Sequence, residues 1–383
     1  MKITLAFDSF KGSLSSSEVA DAFEAGFSSV AGDCEVLKLP MADGGEGTVE
    51  SLVSAIGGET VECAVSDPLG RTVTARYGIL DNGAVAVIEM AAASGLTLLA
   101  DYERNPMLTS TRGFGELVLD ALSRGCRRLF LGIGGSATND AGMGMMQALG
   151  YRFLDASGQA LAGCGASLAD VATIDASGVC PALAEAEIVV ACDVNNPFCG
   201  RSGAAYVFAP QKGADEAMVA SLDEGMHHFA EVIRDFTAVD IAVMPGAGAA
   251  GGIGGSLAAL LGARLVPGAD MLLDAMHFDE AVAGSDYIFT GEGRIDAQTL
   301  MGKAPAAVMR RAVAAGIPVV AVGGTVEWCP RLRESAFCAI FPVLVDDTPI
   351  EEAMKPSVAR RNVRRAAEGI AVSILGGDLI DRD

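Results

Sequence analysis

The stretch YIFTGEGRIDAQTLMGKAPAAVMRRAVAAGIPVVAV, residues 287–322, has the pattern of one strand–helix–strand unit. The apolar run at residues 287–289 predicts a strand, residues 304–315 predict a helix, and residues 318–322 predict the next strand. The loop at residues 290–303 is rich in glycine and also carries acidic and basic side chains. A helix that joins two short apolar strands is typical of an α/β protein with a largely parallel sheet.

The same alternation of strands and helices recurs along the chain. Residues 3–7 and 35–39 predict strands, and the capping box Ser15-x-x-Glu18 predicts the start of a helix between them. Further strands are predicted at residues 128–133, 187–192 and 339–343, and further helices at residues 46–56, 110–125, 215–234 and 356–375.

Residues 59–88 have a different texture, because polar and apolar side chains alternate with period two. Turn sequences at residues 67–70 and 81–83 divide this segment, which therefore predicts antiparallel hairpins. We expect residues 1–62 and 284–383 to form one doubly wound parallel-sheet domain. Residues 63–283 would form a second α/β domain, with the hairpins, inserted into the first.

The composition excludes several classes of protein. The chain has 383 residues, of which 51% are apolar, enough for a core in each of two domains. A net charge of −22 argues against nucleic acid or an anionic membrane as a partner, because both require a positive surface. Residues 241–263 carry no charge, but they are too rich in glycine for a membrane span. Nine cysteines without a C-x-x-C pair indicate reduced thiols in a cytoplasmic protein.

Polar residues, mostly acidic, follow five of the predicted strands. These strand ends lie at residues 8–12, 41–48, 132–140, 192–197 and 290–303. Ligands of open α/β sheets bind beyond the carboxyl ends of the strands, so the pattern predicts a carboxylate-rich cleft whose glycines let the backbone approach a ligand. Hard oxygen ligands in such a cleft suit Mg²⁺, and basic residues in the loops suit phosphate. With a spare carboxylate, these groups are the components of phosphoryl transfer.

The nucleotide motifs are weak. The pair Gly302-Lys303 fails the phosphate-loop pattern at Ala297 and Ala304. Dinucleotide fingerprints occur at residues 132–137 and 246–251, but a chain with 47 glycines produces such matches by chance. These motifs predict only an α/β enzyme that uses ATP or another cofactor.

Long blocks of the sequence resemble the class I glycerate kinases, the bacterial glycerate 2-kinase family. The blocks include DSFKGSLSSSEVADA, LPMADGGEGT, GIGGSATNDAGMGMMQALG, ACDVNNPF and TGEGRIDAQTLMGKAP. They run from residue 3 to about residue 325 in the family's order. Two departures are Phe7, where the family usually has proline, and Gly323-Gly324, where it usually has Ser-Gly.

The resemblance implies phosphorylation of D-glycerate by ATP, which gives 2-phosphoglycerate and ADP, with Mg²⁺ as cofactor in the cytoplasm. It also implies a Rossmann-like domain and an inserted domain with the active site in the cleft between them, and it favours ATP over NAD. Asp193 is the first candidate for the general base and Asp296 the second, while Lys11 and Arg294 would act on the glycerate carboxylate or the phosphoryl group. The other candidates are Asp8, Ser9, Arg71 and Asn196 for the substrate; Gly134, Gly135, Ser136, Asn139 and Lys303 for nucleotide phosphates; and Asp43 and Glu292 for magnesium.

Alternatives to this reading stay open at the level of sequence. The product could be 3-phosphoglycerate, or the acceptor a related hydroxy acid. An NAD-dependent hydroxy-acid dehydrogenase and a non-catalytic ligand-binding protein are less favoured hypotheses. The residues do not fix the oligomeric state, for which a homodimer is one alternative.

Overall fold

A computed structural model describes residues 1–41, 49, 52–53, 57–345 and 348–377 of the chain. The described chain divides into two compact units, which consist of residues 1–43 with 272–383, and of residues 44–271. A boundary near residue 62 would cut a strand that spans Glu59–Ser66, and the contacts place the division earlier. The second division likewise lies before residue 284.

The strands and helices follow the predicted alternation closely. The strands are β1 (Lys2–Phe7), β2 (Glu35–Lys38), β3 (Glu59–Ser66), β4 (Thr72–Leu80), β5 (Val85–Glu89), β6 (Arg128–Gly132), β7 (Arg152–Leu154), β8 (Thr173–Asp175), β9 (Glu187–Ala191), β10 (Arg264–Val266), β11 (Tyr287–Gly291), β12 (Arg294–Ile295), β13 (Val319–Gly323), β14 (Thr325–Val326) and β15 (Ala339–Pro342).

The α-helices that the structure describes are α1 (Ser16–Ala31), α2 (Ala91–Ser94), α3 (Arg112–Ser123), α4 (Met143–Ala148), α5 (Ala204–Phe208), α6 (Glu216–Thr237), α7 (Ile253–Leu261), α8 (Gly268–Ala275), α9 (Phe278–Ala281), α10 (Ala304–Ala314), α11 (Pro330–Arg333), α12 (Ile350–Ala353) and α13 (Pro356–Gly376). The helix predicted at residues 46–56 lies mostly outside the described residues. Within the described residues, no helix is both long enough and apolar enough to span a membrane.

The first unit is built on a parallel five-stranded sheet with the order β15-β13-β11-β1-β2. From β1 the chain adds β2 on one side, whereas the later strands extend the sheet on the other side. The strand order therefore reverses between β1 and β11, and this reversal is the switch point at which doubly wound sheets bind ligands. The prediction of a doubly wound parallel sheet is confirmed.

One face of this sheet packs against α1 and α13. Ile3, Leu5 and Phe7 alternate along β1 and join one apolar core with residues of both helices. The capping box at the start of α1 forms as predicted, because Ser15 Oγ accepts from the backbone N–H of Glu18 and the Glu18 carboxylate accepts from the backbone N–H of Ser15.

The second unit is built on a six-stranded sheet with the order β10-β9-β6-β5-β4-β3. Strands β5, β6, β9 and β10 are parallel, and β4 pairs antiparallel with both β3 and β5. The predicted hairpins are confirmed, with turns at the two predicted positions. The largest apolar core that the structure describes covers this sheet and includes side chains of α3, α4, α6 and α7.

The crossing of α1 and α13 yields a prediction about stability. A Cβ atom on Gly26 would lie 2.2 Å from the backbone oxygen of Arg364, whereas a Cβ atom on Gly369 would meet no heavy atom within 4 Å. We expect Gly26→Ala to lower the free energy of unfolding by about 1–3 kcal/mol, because the helices must move apart. Gly369→Ala is the matched control in α13 and should raise it by up to about 1 kcal/mol through helix propensity. Urea unfolding of both variants checks this; equal effects would contradict the close crossing.

Candidate active site

A pocket of ≈ 510 Å³ lies in the first unit at the carboxyl ends of β1 and β11. It brings together seven of the residues that the sequence singled out: Asp8, Ser9, Lys11, Glu292, Arg294, Asp296 and Lys303. Phe10, Ser13, Gly293, Gln298, Gly324, Thr325 and Asn362 also line it, together with the apolar side chains Val343, Leu344, Ile350, Ala353, Met354 and Ala359. Two of the five predicted strand ends, residues 8–12 and 290–303, thus form one polar wall of this pocket.

The loop after β1 brings two of the candidate substrate ligands to the pocket. The backbone N–H of Asp8 continues the parallel pairing by donating to the carbonyl of Gly291 at 2.9 Å. The Asp8 side chain is buried, and its Oδ1 accepts from the backbone N–H of Ser9 at 2.6 Å. Gly12 has φ +76°, and a Cβ atom there would lie 3.0 Å from Met354 Cε. The loop that carries Lys11 therefore turns close to Met354, the C-cap residue of α12.

The loop after β11 holds a buried carboxylate between a hydroxyl and a cation. Glu292 is 8% exposed, its Oε1 accepts from Thr299 Oγ1 at 2.7 Å, and its Oε2 lies 2.9 Å from Lys303 Nζ. Lys303 is the N-cap residue of α10, in agreement with its predicted position at the start of a helix. The acid and the lysine of this loop consequently form one charged pair that faces the pocket.

Arg294 lies further out than Lys303. It belongs to β12, which pairs with β14, a short ladder that the sequence analysis missed because each strand has only two residues. The guanidinium of Arg294 donates to Glu327, and its Nε lies 3.6 Å from an oxygen of Asp296. Asp296 Oδ1 accepts from the backbone N–H of Gln298 at 2.8 Å. Arg294 and Asp296 are thus neighbours at the mouth of the polar wall.

In the second unit, a buried lysine holds the loop that follows β6. Lys212 is 2% exposed, and its Nζ donates to Ser136 Oγ at 2.7 Å and to the carbonyl of Thr138 at 2.6 Å. Burial lowers the pKa of Lys212 to about 7, and the charge of Asp140 opposes this shift. The sequence analysis treated Ser136 as a phosphate ligand, but here its hydroxyl anchors the loop to Lys212.

Asp140 fixes the end of the same loop. Its carboxylate accepts from the backbone N–H and the hydroxyl of Thr111, and from the backbone N–H groups of Gly142 and Gly144. Burial raises the pKa of Asp140, and these donors act in the opposite direction because they stabilise the ionised form. The neighbouring side chain of Asn139 is fully buried, and its Nδ2 lies 3.2 Å from Met226 Sδ.

The glycines of this loop remain accessible, although its side chains do not. Gly134 and Gly135 are exposed, although the carbonyl of Gly135 already accepts from the backbone N–H of Leu96 at 2.8 Å. The dinucleotide pattern that begins at Gly132 is not followed directly by a helix, because α4 begins only at Met143. The second match, at residues 246–251, follows no strand in the described structure. Neither loop therefore has the strand–loop–helix geometry of a dinucleotide site.

The three remaining candidates in the second unit also have protein partners. Arg71 donates to Asp67 at 2.5 Å and to Glu103 at 2.7 Å, which is the geometry of an arginine that stabilises a hairpin turn. Asp193 is exposed, and its Oδ1 accepts from the backbone N–H of Gly268 at 2.9 Å. Asn196 Nδ2 donates to the carbonyl of Ser202 at 2.8 Å. The catalytic role of Asp193 stays a prediction.

The candidate magnesium ligands are only partly described. Asp43 lies outside the described residues, and Glu292 lines the pocket. Among the residues described, no three His, Cys, Asp or Glu side chains form a metal-binding group. The buried carboxylates of Asp8 and Glu292 nevertheless offer the oxygen donors that Mg²⁺ prefers, and one or two such ligands are usual for this ion.

Known proteins resemble this chain over its whole length. A family model described as the glycerate kinase family matches residues 3–375. Glycerate kinase of Bacillus subtilis (strain 168) is 46% identical over 375 residues, which are 98% of each chain. Glycerate 2-kinase of Escherichia coli (strain K12) is 44% identical over 378 residues, 98% of this chain and 99% of that protein. A crystal structure described as that of glycerate kinase 2 from Salmonella typhimurium LT2 superposes with a TM-score of 0.87 at 44% identity and covers 99% of both chains.

The buried lysine yields a prediction about pH. The pKa of Lys212 is lower in the folded protein than in the unfolded chain, so the unfolded chain binds more protons between about pH 7 and pH 10. The cost of burying the charge is present in full below pH 7 and declines as the pH rises. We expect the unfolding free energy of the wild type, relative to Lys212→Met, to increase by about 1 kcal/mol per pH unit in this window. Denaturant titrations at pH 7, 8 and 9 measure this difference in unfolding free energy, and Lys355→Met, at an exposed lysine, is the control. A difference between wild type and Lys212→Met that does not change with pH would contradict the burial of Lys212.

Proposed function

The chain belongs to the glycerate kinase family, and from that premise we propose that it transfers the γ-phosphoryl group of ATP to D-glycerate. A kinase of this family uses a nucleotide as its phosphoryl donor. We propose 2-phosphoglycerate and ADP as the products, because the relative from Escherichia coli is named a glycerate 2-kinase. The observation that carries the proposal is the pocket beside β1 and β11, where lysines and carboxylates line one wall at the switch point.

The pocket has basic side chains that can bind phosphate and carboxylate groups, and acidic side chains that can accept a proton. The oxygen of the glycerate hydroxyl attacks the γ-phosphorus, the bond to the bridging oxygen of ADP breaks, and the hydroxyl proton passes to a carboxylate. Lys303 would bind the phosphates of the nucleotide, since its ammonium group faces the pocket from the start of α10. Lys11 and Arg294 would bind the glycerate carboxylate or the phosphoryl group, and Asp8 and Ser9 would orient the acceptor.

We propose Mg²⁺ as the cofactor of this reaction. Among the described residues, Glu292 is its proposed ligand. Each oxygen of a carboxylate has two lone pairs, so the contacts of Glu292 with Thr299 and Lys303 leave capacity for a cation. We propose Asp43 as the second ligand, on the strength of the sequence alone. When bound, the ion would neutralise charge on the nucleotide phosphates and on the transferred group.

We also propose that the protein acts in the cytoplasm and has no nucleic-acid or membrane partner. The nine cysteines, which all lie within the described residues, form no disulfide, and this supports a reducing compartment. The charge of −22 disfavours binding to polyanions.

The direct test is a coupled assay of ADP release with ATP, Mg²⁺ and a panel of hydroxy acids. We expect D-glycerate to give the highest kcat/KM, and ³¹P and ¹H NMR of the product should show the phosphate on carbon 2. A product phosphorylated on carbon 3 would overturn the assigned position. Binding of glycerate without any ADP release would overturn the kinase proposal.

Two conservative variants test the general base. Asn keeps the size of Asp but cannot accept the proton, so the variant of the true base should lose roughly 10²–10⁴-fold in kcat, with little change in the KM for ATP. We propose Asp193→Asn as the variant that shows this loss and Asp296→Asn as its comparison. Circular dichroism and calorimetric binding of ADP should confirm that both variants fold. Near-normal turnover of Asp193→Asn beside an inactive Asp296→Asn would transfer the role to Asp296.

A further inference from the structure

Part of the pocket lining is apolar and does not match the polar groups of glycerate. Val343, Leu344, Ile350, Ala353 and Met354 line it with aliphatic or thioether side chains, and we call this set the apolar wall. Glycerate has three carbons, and each of them carries oxygen. A ligand of that kind is recognised by charges and hydrogen bonds, and an apolar surface would only desolvate its polar groups.

The apolar wall is joined to the charged wall by backbone hydrogen bonds. The N–H of Gly324 donates to the carbonyl of Glu292 at 3.1 Å, and the N–H of Leu344 donates to the carbonyl of Gly324 at 3.1 Å. Leu344 therefore lies two strand spacings, roughly 10 Å, from the acidic end of the pocket. A Cβ atom on Gly324 would lie 2.4 Å from the carbonyl oxygen of Gly293, so this close approach requires a glycine.

The size of the pocket also indicates a ligand larger than glycerate. A volume of ≈ 510 Å³ lies within the range of roughly 300–1,000 Å³ that is typical of sites for drug-sized ligands, and it is far more than a three-carbon acid fills. A nucleoside polyphosphate has an apolar aromatic base at one end and a string of anionic groups at the other. The pocket has the matching polarity, with aliphatic side chains after β15 and lysines after β1 and β11.

We propose that the apolar wall is the subsite for the purine base of the donor nucleotide, with the phosphates directed toward Lys303. The assignment rests on the proposed kinase function for the identity of its ligand. Asn362 of α13 also lines the pocket and supplies an amide that can both donate and accept, as the edge of a purine requires. Binding of the base then requires no contact from the loop at residues 134–139, which the sequence analysis assigned, together with Lys303, to the nucleotide phosphates.

Ile350→Asn tests the subsite, because it replaces an apolar side chain by a polar one with the same number of non-hydrogen atoms and adds no charge. Ile350 is 61% exposed, so the substitution should leave folding intact. We expect the KM for ATP and the inhibition constant of ADP each to rise about fivefold, through partial loss of the apolar burial of one side chain. The KM for D-glycerate should change less than twofold, and inhibition by inorganic tripolyphosphate, which has no base, should stay the same.

Val372→Asn is the matched control, since Val372 is 59% exposed on α13 and does not line the pocket. It should leave all four constants unchanged. An unchanged KM for ATP in Ile350→Asn, or a rise confined to the KM for D-glycerate, would overturn the subsite while leaving the kinase function standing. Calorimetric titration of ADP decides the subsite independently of turnover. If the wild type binds ADP but phosphorylates no glycerate, weaker ADP binding by Ile350→Asn would still support it.

Discussion

The pairing of β1 with β11 is the contact on which the first unit depends. It joins Ile3 to Tyr287 and Phe7 to Gly291, so the two ends of a long chain meet in one parallel ladder. Most of the pair is buried, and its two threonine hydroxyls have hydrogen-bond partners. Thr290 Oγ1 donates to the carbonyl of Ala6 at 2.7 Å, and the hydroxyls of Thr4 and Ser285 lie 2.8 Å apart. A sheet so assembled cannot form from either end of the chain alone.

This pairing also creates the pocket. Because β1 leads to β2 on one side and β11 leads to β13 on the other, the chain leaves the two central strands in opposite directions and opens a crevice above them. A Cβ atom on Gly291 would lie 1.8 Å from the backbone oxygen of Val322, so β11 and β13 pack closely just before the crevice begins. The residues that follow each strand, Asp8 and Glu292, are consequently directed into the same space.

The sequence predicted the strands, helices and turns of this arrangement better than it predicted the contacts between their side chains. Apolar runs, the capping box at Ser15 and the turn residues are local signals, and the strands, helices and hairpins that they predict within the described residues were found. The contacts of single side chains are not local. Nothing near Lys212 in sequence indicates that it lies buried against Ser136, and nothing near Arg71 indicates that Glu103 is its partner.

The position of the apolar wall could not be predicted from local sequence signals either. Ile350 and Met354 lie in a short segment after β15 that a sequence pattern assigns to an ordinary surface loop or helix. Their place beside the charged loops follows from the order of the strands, which brings the end of β15 next to that of β13. Strand order is a property of the whole sheet, so the polar wall of the pocket could be predicted and its apolar wall could not.

Charge explains why the polar wall alone is not a complete phosphate site. Its lining contains the acids Asp8, Glu292 and Asp296, and the three bases Lys11, Arg294 and Lys303 balance them, so the formal charge of the lining is zero. The whole chain carries −22, and a nucleotide with several negative charges would approach against that field. The divalent cation that we propose beside Glu292 would supply the positive charge that the bases do not. In this proposal the acids of the loop would favour phosphate binding, because they would hold the cation that the phosphates require.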